Sequence, residues 1–102
     1  MTTPRLDSSG WRPQFISMAK VEIYTKAFCP YCSRAMQLLT SKNAQVEEFD
    51  ITMGGPKRAE MLQRANGGVT VPQIFIDGKH VGGSDDLAAL ERQGKLDALL
   101  AP

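Results

Sequence analysis

Cys29 and Cys32 are the only thiols in this 102-residue chain, and they stand two residues apart in the stretch "FCPYC". Such a pair admits three kinds of chemistry: redox exchange, half of a metal site, or simple packing. A closed structural zinc site takes four ligands, usually from Cys and His. The chain offers Cys29, Cys32 and its single histidine, His80, with no second pair. A zinc site within one chain is therefore one ligand short, and no metal is expected. Two cysteines buried only for packing would have no use for Pro30 and Tyr31 between them at a strand–helix junction.

The redox reading has positive support from position. Pro30 suits the first turn of a helix, where its missing N–H costs nothing. The first N–H groups of a helix have no intrahelical partner and point back at the preceding loop. Cys29 lies just there, so its sulfur can accept those groups and feel the positive end of the helix dipole. Lys26, three residues upstream, adds a further positive charge. An ordinary thiol is a few per cent thiolate at pH 7, whereas cysteines of CxxC pairs at helix starts titrate at roughly 3.5–7.5. Cys29 is the expected nucleophile. Cys32 falls on one stripe with Ala35, Met36 and Leu39, at helical spacing, so it should be buried and less ionised. That suits a resolving thiol, which attacks only after a mixed disulfide has formed at Cys29.

The elements that must hold this pair can be read from periodicity. "KVEIYT" (Lys20–Thr25) alternates as a strand, and a helix runs from Pro30 to about Lys42. A second strand spans Gln45–Ile51, and after the loop "TMGGP" a second helix covers Pro56–Asn66, stopped by Gly67 and Gly68. Val71–Asp77 reads as a buried strand, and "DGK" as a tight turn into "HVGG", making a hairpin. Ser84–Gln93 is a helix with Ser84 as its N-cap and an acidic first turn, and Leu96, Leu99 and Leu100 mark a short last helix. The opening strand–helix–strand unit implies parallel pairing with a right-handed crossover. The later hairpin adds antiparallel pairing. The expected fold is α/β, a mixed four-stranded sheet flanked by helices.

Twelve basic residues against eleven acidic ones leave a net charge of +1, which gives no electrostatic case for nucleic acid or an anionic membrane. No apolar run approaches the roughly 18–20 residues that span a bilayer. Residues 1–17 show no hydrophobic periodicity and lack the apolar core of a secretory signal. Asp7 and the missing amphipathic pattern speak against a transit peptide. They read as a disordered upstream extension, with Met18 as a natural start and one domain over 18–102. The expected compartment is the cytoplasm, where disulfides are transient and catalytic. No long apolar surface stripe suggests an obligate partner, so a monomer is expected.

"CPYC" after a "VEIYTK" strand, followed by "TVPQIFIDGKHVGG" and "SDDL", closely resembles the dithiol glutaredoxins of the bacterial glutaredoxin 3 kind. The resemblance runs from about Met18 to Leu100. It implies a thioredoxin fold and a glutathione-dependent thiol–disulfide oxidoreductase. By motif, Cys29 would attack glutathione mixed disulfides and protein disulfides, and Cys32 would resolve the latter. Tyr31 would flank glutathione, and Thr70, Val71 and Pro72 match the loop before a cis-proline. There the Val71 backbone would pair with the cysteinyl backbone of glutathione like an added strand. Gly83, Ser84, Asp85 and Asp86 match the segment that holds the γ-glutamyl end, the carboxylate on helix N–H groups and the ammonium beside Asp86. Lys26 and Arg58 match basic positions that meet the glycyl carboxylate.

The chain departs from the pattern in two places. Ser84 stands where some relatives carry a cysteine, so no regulatory disulfide is expected there. "RANGGVTVP" is one residue longer than the usual approach to "TVP", which loosens the alignment of Arg58. His80 reads as a surface strand residue.

Three functions follow from these residues. The first is a glutathione-dependent reductase of glutathionylated or disulfide-containing proteins, served indirectly by glutathione reductase. The second is a thioredoxin-like reductase served by a flavoprotein. The two differ by about 40–70 mV in potential. The third is a carrier of an iron–sulfur cluster bridged between two subunits, against which Pro30 argues. CPYC together with "GGSDD" favours the first. Ribonucleotide reductase, reductases of sulfur or arsenic compounds, and general deglutathionylation all remain open as partners.

Overall fold

The computed structural model describes residues 19–101, so the extension expected over 1–17 lies outside the described residues. Eight elements follow one another. They are β1 (Lys20–Thr25), α1 (Pro30–Ser41), β2 (Gln45–Asp50), α2 (Pro56–Arg64), β3 (Gln73–Ile76), β4 (Lys79–Gly82), α3 (Ser84–Arg92) and α4 (Leu96–Leu100). The sheet order is β2-β1-β3-β4. β1 runs parallel to β2, from Lys20 opposite Gln45 to Thr25 opposite Asp50, and antiparallel to β3. β3 and β4 form the antiparallel hairpin. This is the mixed four-stranded sheet of the thioredoxin fold.

Strand alternation sorts the core into two layers. Val21 and Ile23 of β1 face Ile76 and Ile74 across the ladder, and both pairs pack with Ala35 and Leu39 of α1, Leu87 of α3 and Leu96 of α4. On the other face Tyr24 and Phe75 pack with Ile51, Met61 and Ala65, under α2. Each fully buried aliphatic side chain is worth about 1.5–3 kcal/mol. The central strands are therefore pinned in register, because a slip of one residue would exchange the two layers. The C-terminal end of β1 and the start of α1 are held by this packing rather than by the loop between them.

Several element ends differ from those read in the sequence. β3 begins at Gln73, not Val71, since Pro72 has no N–H to give to a ladder. It ends at Ile76 because Asp77 and Gly78 both take positive φ, +49° and +81°, as a two-residue hairpin turn requires. α2 stops at Arg64, and Asn66 and Gly67 enter the left-handed region, where the Gly67 N–H returns 2.6 Å to the Leu62 carbonyl. Ser84 is not an N-cap. Gly83 occupies that position, Ser84 is the first helical residue, and the Gly83 N–H is taken by Asp86 Oδ2 at 2.9 Å. No described helix is long and apolar enough to cross a membrane.

Candidate active site

The thiol pair sits where β1 runs out and α1 begins. Cys29 is the N-cap residue of α1, with extended backbone, and Pro30 opens the helix. The Cys32 N–H donates to Cys29 Sγ at 3.2 Å, the cap contact expected of the nucleophile. Phe28, just before, holds φ at +59° and is fully exposed. For a bulky L-residue that conformation costs roughly 1–2 kcal/mol, and it turns the chain sharply into the helix. Both cysteines are free thiols.

The two sulfurs occupy different surroundings. Cys29 is half-buried, whereas Cys32 packs on the inner face of α1 at 5% exposure. Burial, reinforced by its hydrogen bond with Cys29, pushes the Cys32 thiol up to about 11. Desolvation disfavours the charged thiolate, which raises an acid. Only the thiolate attacks, so Cys32 stays protonated and quiet through neutral pH. In a Cys29→Ser variant the burial of Cys32 persists, so its alkylation by iodoacetamide should still be climbing with pH at pH 9. A plateau reached near pH 8 would show that the fold does not hold this proton.

Two hollows flank Cys29. One, of about 420 Å³, is lined by both cysteines with Lys26, Ser33, Met36 and Glu48. Glu48 is fixed there by the hydroxyl of buried Thr25, 2.7 Å from its carboxylate. The other is a groove of about 670 Å³. Lys26 and Tyr31 stand on its wall, Thr70, Val71 and Pro72 form one edge, and Gly83, Ser84, Asp85 and Asp86 close the far end. The Cys29 thiol points at the Val71 carbonyl, 4.0 Å away, so the sulfur stands at the mouth of this groove. The Val71–Pro72 bond is cis.

The far end is the start of α3. The Gly83 N–H is already on Asp86, whereas the N–H groups of Ser84 and Asp85 have no acceptor within the helix, and both residues line the groove end. Gly82 has φ +118°, and a Cβ there would run into the Asp86 carboxylate. Glycine at 82 is thus needed for both the turn and the close approach.

Nearly all the residues singled out in the sequence come together here. Arg58 does not: it lies at the start of α2 beside Gly54 and is not part of the groove wall. Two residues that the sequence did not single out, Gln73 and Val69, line the groove, and so does His80, read as a plain surface residue. Val69 is an exposed aliphatic side chain on the rim. Periodicity gives no sign of it, because the segment is irregular. Among the described residues no group of three or more His, Cys, Asp or Glu is placed to hold a metal ion.

The glutaredoxin family model matches residues 21–81, more than half of the chain and including both cysteines, the cis-proline loop and the hairpin. The chain belongs to the glutaredoxin family. It is 57% identical over 83 residues to glutaredoxin 3 of Escherichia coli K12, covering 81% of this chain and 99% of that one. Among solved structures, the solution structure of a glutaredoxin from Brucella melitensis is 53% identical with a TM-score of 0.71, covering 83% of this chain and 91% of that one. A buckwheat glutaredoxin crystallised as a glutathione complex is 32% identical with the same TM-score, covering 85% and 81%. As a glutaredoxin, the chain is a thiol–disulfide oxidoreductase.

Proposed function

We propose that this glutaredoxin is a glutathione-dependent reductase of glutathione mixed disulfides and protein disulfides, with Cys29 as nucleophile and Cys32 as resolving thiol. The observation that carries the reading is the groove beside Cys29. It offers a strand-like backbone edge at Val71, a helix start for a carboxylate at Ser84 and Asp85, and a lysine at Lys26 for a second carboxylate. Those groups match a small tripeptide bearing a carboxylate at each end and a thiol in the middle. The related buckwheat protein, crystallised as a glutathione complex, adds support.

The chemistry is two successive exchanges. Cys29 thiolate attacks the glutathione sulfur of a mixed disulfide, and the substrate leaves as its thiolate, which takes up a proton. Glutathione, as its thiolate, then attacks the Cys29–glutathione bond, giving oxidised glutathione and free Cys29. With a protein disulfide, Cys29 first forms a mixed disulfide with one substrate sulfur. Cys32 then loses its proton and attacks the Cys29 sulfur, releasing the reduced protein and leaving a Cys29–Cys32 disulfide. Two glutathiones reduce that bond. The protein acts as a monomer in a reducing, cytoplasmic compartment, where glutathione reductase regenerates glutathione without touching the enzyme.

NADPH consumption during reduction of a glutathionylated peptide tests this. Turnover is expected with glutathione and glutathione reductase and not with thioredoxin reductase. Turnover only with thioredoxin reductase would sink the glutathione reading. No turnover with either would move the cluster-carrier reading to the front.

A further inference from the structure

We infer that His80, acting through Gln73, is a positioning residue that sets the Thr70–Val71 edge of the groove. The inference rests on the glutathione reading above for its effect on turnover, but the contact itself stands on geometry. Gln73 is 5% exposed, so its amide must find partners inside the protein. Its Nε2 lies 3.0 Å from the Thr70 carbonyl and 3.2 Å from Thr70 Oγ1. A carbonyl only accepts, so the amide N–H₂ end must be the one facing Thr70. That turns Oε1 toward His80, whose Nε2 is 2.6 Å away, and Oε1 too can only accept. His80 Nε2 must therefore carry the hydrogen and donate it. The bond chain runs in one direction, from His80 to Gln73 to Thr70.

Each member is held from the side. His80 lies opposite Phe75 on the hairpin, and their rings stack with centroids 4.9 Å apart at 26°. The Phe75 ring also carries the Arg64 guanidinium at 4.0 Å. Glycine at 68 leaves the amide of Gln73 its room. A Cβ there would sit 3.2 Å from Gln73 Nε2 and 3.2 Å from the Ala65 carbonyl oxygen, tighter than most real Cβ contacts.

The consequence follows from peptide planarity. The Thr70 carbonyl and the Val71 N–H belong to one rigid unit and point in opposite directions. Tying the carbonyl inward to Gln73 aims the Val71 N–H away from the protein interior, at the position where a ligand backbone would accept it. His80 thus fixes the direction of a donor it never touches.

Three variants test this. His80→Leu keeps bulk against Phe75 and removes the donor, Gln73→Met keeps volume and removes the amide, and His80→Gln restores an N–H donor. Losing one neutral hydrogen bond should raise KM for a glutathionylated peptide roughly fivefold in His80→Leu, with kcat within about twofold. The His80→Leu/Gln73→Met double variant should be no worse than Gln73→Met alone, and His80→Gln should recover most of the loss. In spectra of the protein without ligand, the Gln73 side-chain amide protons should exchange slowly in the wild type and fast in His80→Leu. An unchanged KM in His80→Leu, additive effects in the double variant, or amide protons indifferent to His80 would each overturn the inference. If the wild type shows no dependence on glutathione, the proposed function fails, and the amide exchange still decides whether the relay exists.

Discussion

Replacing Cys29 by serine should bring turnover with every disulfide substrate down to the rate seen without protein. The reason is chemical rather than structural. Cys29 is the N-cap of α1, and its sulfur accepts the Cys32 N–H at 3.2 Å. Serine is among the residues most favoured at that position, so its hydroxyl can take over the contact and the helix start is preserved. A serine hydroxyl, however, is neither ionised near neutral pH nor able to form a disulfide. The expected result is a protein whose melting temperature is unchanged or slightly raised and whose activity is gone. Both quantities should be measured on the same preparation, against NADPH consumption in the glutathione-coupled system. A variant that still turns over would mean that Cys32, buried at 5% exposure, can act as nucleophile, and the assignment of roles would be wrong.

The asymmetry behind that prediction was legible in the sequence because it depends on local patterns. Proline at the first helical position, a strand before it and an apolar stripe through Cys32 together fix which thiol faces outward. The sheet was legible for the same reason, since alternation in "KVEIYT" and the turn "DGK" each specify one geometry. What was not legible depends on which distant side chains share a face. Glu22 reads as an ordinary outward charge of a half-exposed strand. In the fold it is part-buried and bound by Arg64 from α2 at 2.9 Å, while Arg64 also donates to Tyr24 at 2.8 Å. Tyr24 in turn donates to Glu60 at 2.7 Å, and burial together with that bond raises its hydroxyl above the ordinary range. Spacing pairs Glu22 with Tyr24 on the strand and Glu60 with Arg64 on the helix, but nothing in it joins the two pairs.

His80 and Gln73 were missed for a related reason. A histidine seven residues after a glutamine, across a hairpin, has no signature unless the register is known. The register here is irregular, because the pairing of Phe75 with His80 and of Ile74 with Gly82 leaves Val81 as an extra residue in β4. The two-residue turn nevertheless pairs Phe75 with His80 ahead of that bulge, which puts His80 on the same face as Phe75 and Gln73. The same limit applies to Arg58. Alignment by motif sets it among the positions that meet the glycyl carboxylate; in the fold it stands at the start of α2 beside Gly54 and is not among the residues lining the groove.

Replacing Cys32 by serine should separate the two activities that share Cys29. Reduction of a glutathione mixed disulfide needs one protein thiol, because the second exchange is made by glutathione from outside. That activity should survive within about twofold, since the attacking thiolate and leaving group are unchanged. Reduction of a protein disulfide is different. The mixed disulfide between Cys29 and the substrate protein is normally opened by Cys32 from within, at the high effective concentration of a neighbour one helical turn away. Without it, glutathione must reach a sulfur crowded by a bound protein, and turnover should fall by at least about tenfold. The trapped complex should appear as a covalent band on a non-reducing gel and vanish with dithiothreitol. A hydroxyl buried in place of a thiol should also cost about 1–3 kcal/mol unless it finds a partner. The coupled assay must therefore be read at a temperature well below the variant's unfolding transition. If both activities fall together, Cys32 supports the site structurally and is not a resolving thiol. If neither falls, glutathione rather than Cys32 opens the mixed disulfide between Cys29 and the substrate protein, and the second cysteine of "CPYC" has no part in the exchange.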